Sequence, residues 1–180
     1  MSPDADPESV ARAVALRQLA AAPRSRAQLR TAITRKGVSE DVAERVLDRF
    51  TEVGLVDDAA YAELLVRSRH AGRGLARRAL ARELHAKGIA REVAEEALGG
   101  IDGEDERRTA RALVARKAGG MAGLDPQRRR RRLVGMLARR GYSPAMAVAV
   151  VEETLLGGSD SGVAPLEDGT DAGPMALDDV

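Results

Sequence analysis

The amino-acid sequence predicts an all-α protein of three tandem three-helix repeats, set in an elongated, curved row. Three observations carry that prediction. One stretch recurs three times, its apolar residues keep a helical period in every copy, and each recurrence is too short to bury a sufficient core alone. The stretch LRTAITRKGVSEDVAERVL at 29–47 falls on LARELHAKGIAREVAEEAL at 80–98 after a shift of 51 residues, and on LVGMLARRGYSPAMAVAVV at 133–151 after a shift of 104. The shared frame is a leucine with an apolar partner four positions on (Ile33, Leu84, Leu137), then a basic residue and glycine (Lys36-Gly37, Lys87-Gly88, Arg140-Gly141). Val38, Ile89 or Tyr142 follows, and a second apolar run passes through Val42, Val93 or Met146.

Each part of the frame has a physical reason. Residues four apart share a helix face. A basic residue suits the negative C-terminal end of that helix. Glycine takes the left-handed conformation that closes it, and the apolar residue beyond folds back on the turn it has left. A second helix then begins, most plainly at Ser143-Pro144, where serine caps and proline fits the first helical position.

Taken in order, Asp6-Pro7 is a cap and first-turn pair for an opening helix with Val10, Val14, Leu16 and Leu19 on its apolar side, ended by Pro23. Ser25 with Gln28 reads as a capping box for a helix at 26–36, and a helix at 40–53 closes at Gly54. The expected first core is Leu16, Leu19, Leu29, Ile33, Val42, Val46, Leu47 and Phe50. Asp57 or Asp58 caps a helix running to about residue 71, which Gly72-Arg73-Gly74 breaks. After a linker at 99–103, Glu104-Asp105-Glu106 opens a helix whose N-terminus favours negative charge. A glycine-bearing loop at 118–123 leads to a helix started by Asp125-Pro126 and ended at Gly141, then to a last helix at 144–156. The organisation is therefore a disordered N-terminus at 1–9, modules at 10–56, 57–101 and 104–156, and a disordered acidic tail at 157–180.

Composition narrows the function. The chain has no cysteine, no run long enough for a membrane span and no leader at its start, which fits a cytoplasmic protein. Its net charge of +1 conceals an asymmetry: residues 10–156 carry 29 basic against 19 acidic side chains, and both ends are acidic. Such a body suits an anionic partner. No catalytic constellation, metal set or cofactor loop stands out. Asp57 and Asp58 read as caps, His70 and His85 as solvated surface residues, and Gly72-Arg73-Gly74 follows a helix and lacks a nucleotide fingerprint. What stands out is arginine. Residues 67–82 hold Arg67, Arg69, Arg73, Arg77, Arg78 and Arg82 with no acid among them, and residues 107–140 hold twelve basic side chains against Asp125. A solvated face normally mixes signs, so these stretches point to binding. Because residues 128–132 circle a helix, some of them face the body. The near absence of aromatics argues against reading single-stranded bases by stacking. The acidic tail has two readings, an inert solubilising segment or one that folds back over the basic face.

The chain resembles the RecX family, regulators of the bacterial RecA recombinase, over about residues 11–156. The likeness rests on RSRAQLRTAITRKGVSEDVAERVLDRFTEVGLVDDAAYAELLVRSR, GLARRALARELHAKGIAREVAEEAL and RRRRLVGMLARRGYSPAMAVAVV. It implies an all-helical, non-enzymatic, cofactor-free monomer acting in recombination, DNA repair and the SOS response. Such a protein lies in the groove of the RecA–DNA filament, inhibits ATP hydrolysis and strand exchange, and limits filament growth. The partner-binding residues it suggests here are Arg67, Arg69, Arg73, Arg77 and Arg78 in the central module and Arg129, Arg130, Arg132 and Arg139 in the last, meeting recombinase carboxylates or DNA phosphates. Two features depart from the family frame: Leu65, where an aromatic is common, and the acidic tail. The alternatives are a helical DNA-binding protein or a scaffold acting without a recombinase. The second helices of the repeats carry Glu40, Asp41 and Glu44, or Glu92, Glu95 and Glu96, and suit a DNA groove poorly.

Overall fold

A computed structural model describes residues 6–157. Nine α-helices follow one another among these residues: α1 (Pro7–Ala21), α2 (Arg26–Thr34), α3 (Glu40–Glu52), α4 (Asp58–Arg73), α5 (Arg77–Ala86), α6 (Arg91–Ala97), α7 (Gly103–Ala118), α8 (Pro126–Arg139) and α9 (Pro144–Gly157). A single 3-10 turn, Gly119–Met121, extends α7, and no strand occurs among the described residues. Three apolar clusters form, one in each successive helix triad.

The threefold frame is the skeleton of all three clusters. Leu29, Leu80 and Leu133, with their partners Ile33, Leu84 and Leu137, are fully buried. The turn glycines Gly37, Gly88 and Gly141 have φ of +84°, +74° and +92°, and Val38, Ile89 and Tyr142 beyond them are buried. At Gly141 the six-to-one bond from Tyr142 N–H to Leu137 O (3.3 Å) and the five-to-two bond from Gly141 N–H to Ala138 O (3.0 Å) close the helix as a Schellman turn.

Several expectations shift. The opening helix includes residues 7–9, assigned from sequence to a disordered end, because Asp6 accepts from Glu8 and Ser9 N–H and fixes the first turn at Pro7. The rest of the expected disordered ends, residues 1–5 and 158–180, lies outside the described residues. Leu16 is half exposed, and α1 buries Ala11, Val14 and Ala15 instead, small residues that let it approach α2 and α3 closely. Gly72 lies within α4; the break falls at Gly74 alone, whose φ of +61° ends the helix.

The triads meet through two joints built to one plan. At the first, Ser25 caps α2 by accepting from Gln28 N–H (3.3 Å), and its hydroxyl donates to Lys87 O (2.6 Å) in the α5–α6 turn. Arg26 N–H, the first of α2, donates to Asp58 Oδ1 (2.8 Å) on α4. At the second, Ala76 N–H donates to Arg140 O (3.0 Å) and Arg77 N–H to Glu106 Oε1 (2.7 Å). In both, the orphan donors at a middle helix's N-terminus are satisfied by the following triad. In both, the turn glycine of that triad sits on the helix start: a Cβ at Gly88 would strike Ala27 Cβ, and one at Gly141 would lie 2.7 Å from Ala79 Cβ. Gly37, with no triad before it among the described residues, has nothing within 4 Å.

Gly37→Ala is expected to cost about 1–2 kcal/mol, the left-handed backbone term alone. Gly88→Ala and Gly141→Ala are expected to cost measurably more, because each also wedges a joint open. Urea unfolding of the three variants checks the ranking, and equal losses contradict it.

Candidate anion-binding interface

The arginines divide into those the fold consumes and those it leaves available. The threefold frame explains the first group. Three residues before each repeat leucine stands an arginine, Arg26, Arg77 or Arg130, and each reaches the third helix of its own triad. Arg26 is clamped by Glu44 and by Asp48 (2.6 Å). Burial works against its charge, but the two carboxylates outweigh burial and its pKa is raised. Arg77 Nη1 donates to Leu98 O (2.6 Å), covering the carbonyl that ends α6. Arg130 pairs with Glu152 (2.5 Å) on α9, at a site where both side chains are half exposed. Arg129 turns inward and donates to Ala118 O (3.2 Å) at the end of α7.

In the central stretch Arg69 pairs with Glu83 (3.0 Å), the first acid past the acid-free window, and Arg67 lies 3.7 Å from Glu63 one turn back. Arg73, Arg78 and Arg82 are exposed and have no ion-pair partner among the described residues. The sequence-predicted set is therefore not one surface. Arg77 and Arg129 serve the fold, Arg67, Arg69 and Arg130 have internal partners, and Arg73, Arg78, Arg132 and Arg139 are available.

The strongest concentration of available charge is a groove of about 560 Å³ along α8, closed on one side by the end of α7. Lys117, Arg128, Arg131, Arg132, Arg139 and Arg140 line it, with Met121 and Met136 as its apolar part, and no carboxylate. Arg132 and Arg139 belong to the sequence-predicted set, whereas Lys117, Arg128, Arg131 and Arg140 do not. The missing signal was periodicity: 128, 131, 132 and 139 fall at i, i+3, i+4 and i+11, one stripe of a helix. Arg140 also ties the groove to the joint, donating from Nε to Arg73 O (2.9 Å). The other five lining cations have no ion-pair partner among the described residues.

Two residues at the second joint complete the site's setting. His70, read from sequence as a solvated residue, is half buried between α4 and α7. Its Nδ1 lies 2.9 Å from Leu75 O and its Nε2 3.1 Å from Thr109 Oγ1. Since a carbonyl only accepts, Nδ1 carries the proton there. Tyr142 OH donates to Gly74 O (3.1 Å). Burial first, and Glu106 second, push the Tyr142 phenol up to about 12, against the opposing charge of Arg140. Asp57 caps α4 by accepting from Ala60 N–H (2.9 Å), while Asp58 serves the joint. No helix among the described residues is long and apolar enough to cross a membrane.

Comparison with known proteins follows these divisions. Residues 11–50, 57–98 and 104–151 match the first, second and third three-helix domains of RecX respectively. The chain is 52% identical over 153 residues to the "Regulatory protein RecX" of Streptomyces coelicolor, covering 85% of this chain and 81% of that one. It is 51% identical over 145 residues to the protein of the same name from Thermobifida fusca, covering 81% and 78%. The crystal structure of RecX from Lactobacillus salivarius superposes with a TM-score of 0.73 at 20% identity, covering 84% of this chain and 98% of that one, a likeness of fold.

Two outcomes test the partition of charges and the joint. Arg77→Ala is expected to lower stability by about 1–2 kcal/mol through loss of a charged donor to Leu98 O, while Arg78→Ala stays within about 0.5 kcal/mol of the parent. Chemical denaturation reads both. The phenol's raised pKa stabilises the neutral folded form, so this contribution is whole below pH ~10 and is lost as pH rises through about 12. Tyr142→Phe is expected to flatten that alkaline decline; Tyr61, whose pKa burial also raises, keeps it from vanishing. An unchanged slope in Tyr142→Phe contradicts the assignment.

Proposed function

The chain belongs to the RecX family of regulatory proteins, and from that premise we propose that it is a cytoplasmic, non-enzymatic regulator of the RecA recombinase. It binds along the RecA–DNA filament and limits ATP hydrolysis, strand exchange and filament growth. The observation that carries this reading is the unneutralised cationic groove on α8, at one end of a chain of jointed helix triads.

The physical case runs through affinity. Exposed ion pairs contribute little singly, but groups held on one rigid helix meet an acidic surface together. A second contact through Arg73, Arg78 and Arg82 on the central triad raises the total by effective concentration rather than by stronger individual bonds. The joints that link the triads rest on a few hydrogen bonds and close glycine–alanine contacts, so the contacts lie on bodies that are stiff within and linked by few bonds between. The partner chemistry fitting such a surface is carboxylate or phosphate, accepting charge-assisted hydrogen bonds from guanidinium groups. The family's action on a filament that presents both gives the proposal its partner.

Inhibition of RecA ATPase on single-stranded DNA is the measurement. The parent chain is expected to inhibit at amounts well below one per recombinase subunit, at concentrations where it does not bind bare DNA. The full chain carrying Arg131→Glu, Arg132→Glu and Arg139→Glu is expected to need about tenfold more protein or higher, at unchanged helix content. Tight binding to naked DNA without any effect on the recombinase favours a DNA-binding protein instead.

A further inference from the structure

The groove on α8 poses an electrostatic problem that the described residues do not solve. Six cations line about 560 Å³ without a carboxylate. Several arginines elsewhere are paired: Glu44 and Asp48 hold Arg26, Glu83 holds Arg69, Glu153 holds both Arg107 and Arg111, and Glu152 holds Arg130. Like charges gathered on one stripe repel one another and favour any anion brought within a Debye length.

An anion of matching charge is attached to α9, the helix packed against α8. Residues 158–180 carry Asp160, Glu167, Asp168, Asp171, Asp178 and Asp179, and no basic residue. The described chain ends at Gly157 on α9, beside a second cleft lined by Leu155, Leu156, Arg131 and the Arg130–Glu152 pair. Arg131 lines that cleft and the cationic groove alike, so the two openings flank a single helix, a body ~10–12 Å across. Twenty-three residues have a contour of roughly 75 Å. Reach is not limiting. The segment also carries Val163, Leu166, Met175 and Leu177 among its acids, and the partly buried Met121 lines the groove.

We propose that the groove on α8 is an acidic-peptide site and that its resident ligand is the chain's own C-terminal segment, residues 158–180. Six carboxylates face six cations, and tethering supplies an effective concentration on the order of 1 mM. A peptide that binds in trans with a dissociation constant of about 0.1 mM is then held in cis about nine-tenths of the time and competes about tenfold against any other anion. The segment thereby raises the threshold for engaging an anionic partner. That consequence for a recombinase rests on the function proposed above; occupancy of the groove does not.

The test uses the full chain and no recombinase. The probe is a fluorescent synthetic peptide of residues 158–180, followed by anisotropy at about 0.01 M and about 0.15 M salt, where screening shortens from ~30 to ~8 Å. One variant neutralises the segment in place (Asp160→Asn, Glu167→Gln, Asp168→Asn, Asp171→Asn, Asp178→Asn, Asp179→Asn). The peptide is expected to bind this variant saturably and about tenfold more tightly than the parent, whose groove is already filled. Higher salt is expected to weaken that binding. Adding Arg131→Glu, Arg132→Glu and Arg139→Glu is expected to abolish it; if those reversals impair folding, the glutamine versions serve the same comparison. Equal binding to parent and neutralised chain overturns the proposal, as does no binding to the neutralised chain, or binding indifferent to the three arginines.

Discussion

The structure depends on one arrangement: the first turn of a middle helix is completed by groups from the next triad. An α-helix begins with amide donors that nothing inside the helix can satisfy. In α2 and α5 the donors at the start, Arg26 and Arg77 N–H, go to Asp58 and Glu106 on the following triad's first helix. The caps before them, Ser25 and Ala76, donate to the carbonyls of Lys87 and Arg140 in its turn. The second joint manages without a hydroxyl because Ala76 uses its backbone amide. The carbonyl that accepts belongs to the basic residue before a left-handed glycine, and that glycine, lacking a Cβ, lets the turn lie against Ala27 or Ala79. The features that end a helix in one triad thus begin a helix in its neighbour. Triads of such small size and aliphatic composition gain from this sharing what a larger core supplies elsewhere.

The same arrangement sorts the charges. A carboxylate placed at each joint serves a helix N-terminus, where negative charge is favourable, and is thereby withdrawn from pairing with nearby arginines. The repeat arginines Arg26, Arg77 and Arg130 brace the third helix of their own triads, whatever the local count of positive charge suggests. Much of the basic excess is therefore spoken for. What is left gathers where side chains at helical spacing face outward with no acid opposite, as on α8.

Most of the fold could be read from the repeated frame, because each of its requirements is local: a leucine pair on one face, a glycine at positive φ, an apolar residue beyond it. The capping box at Ser25 and Gln28 and the caps at Asp6 and Asp125 were likewise visible, since cap chemistry acts over three residues. The reading weakened wherever the partner was distant in sequence. Asp58 looked like a spare cap until α2 was brought beside it, and His70 looked solvated until α7 covered it. Glu83 lay one residue beyond the window that defined the central arginine stretch. Counting arginines grouped Arg77 and Arg130 with the rest, whereas the frame itself, with an arginine at 26, 77 and 130, held the sign that this position reaches its own triad's third helix. Arg129, beside the frame position, turns to Ala118 O, a contact only the fold reveals. Leu16 failed for another reason: on a helix packed against two neighbours, close approach by Ala11 and Ala15 outweighed the larger apolar area of leucine.

The last triad shows why the free charge collects there. Its middle helix does not repeat the joint. Arg130 stands where Arg26 and Arg77 begin their helices, but α8 starts four residues earlier, at Pro126, so the amide of Arg130 is taken up inside the helix. Proline at the new first position has no donor to offer, and Asp125 caps the helix from its own chain, accepting from Arg128 N–H at 3.0 Å. Among the described residues no further triad brings a counterpart of Asp58 or Glu106 to this end. The extra turn instead adds Arg128 and Arg129 to a helix whose N-terminal dipole is already positive. An end that closed the series while leaving its charge balanced needed acids on α8; the sequence places arginine there five times in succession. The geometry thus leaves the exposed positive charge of this triad on the side chains rather than the backbone amides of α8.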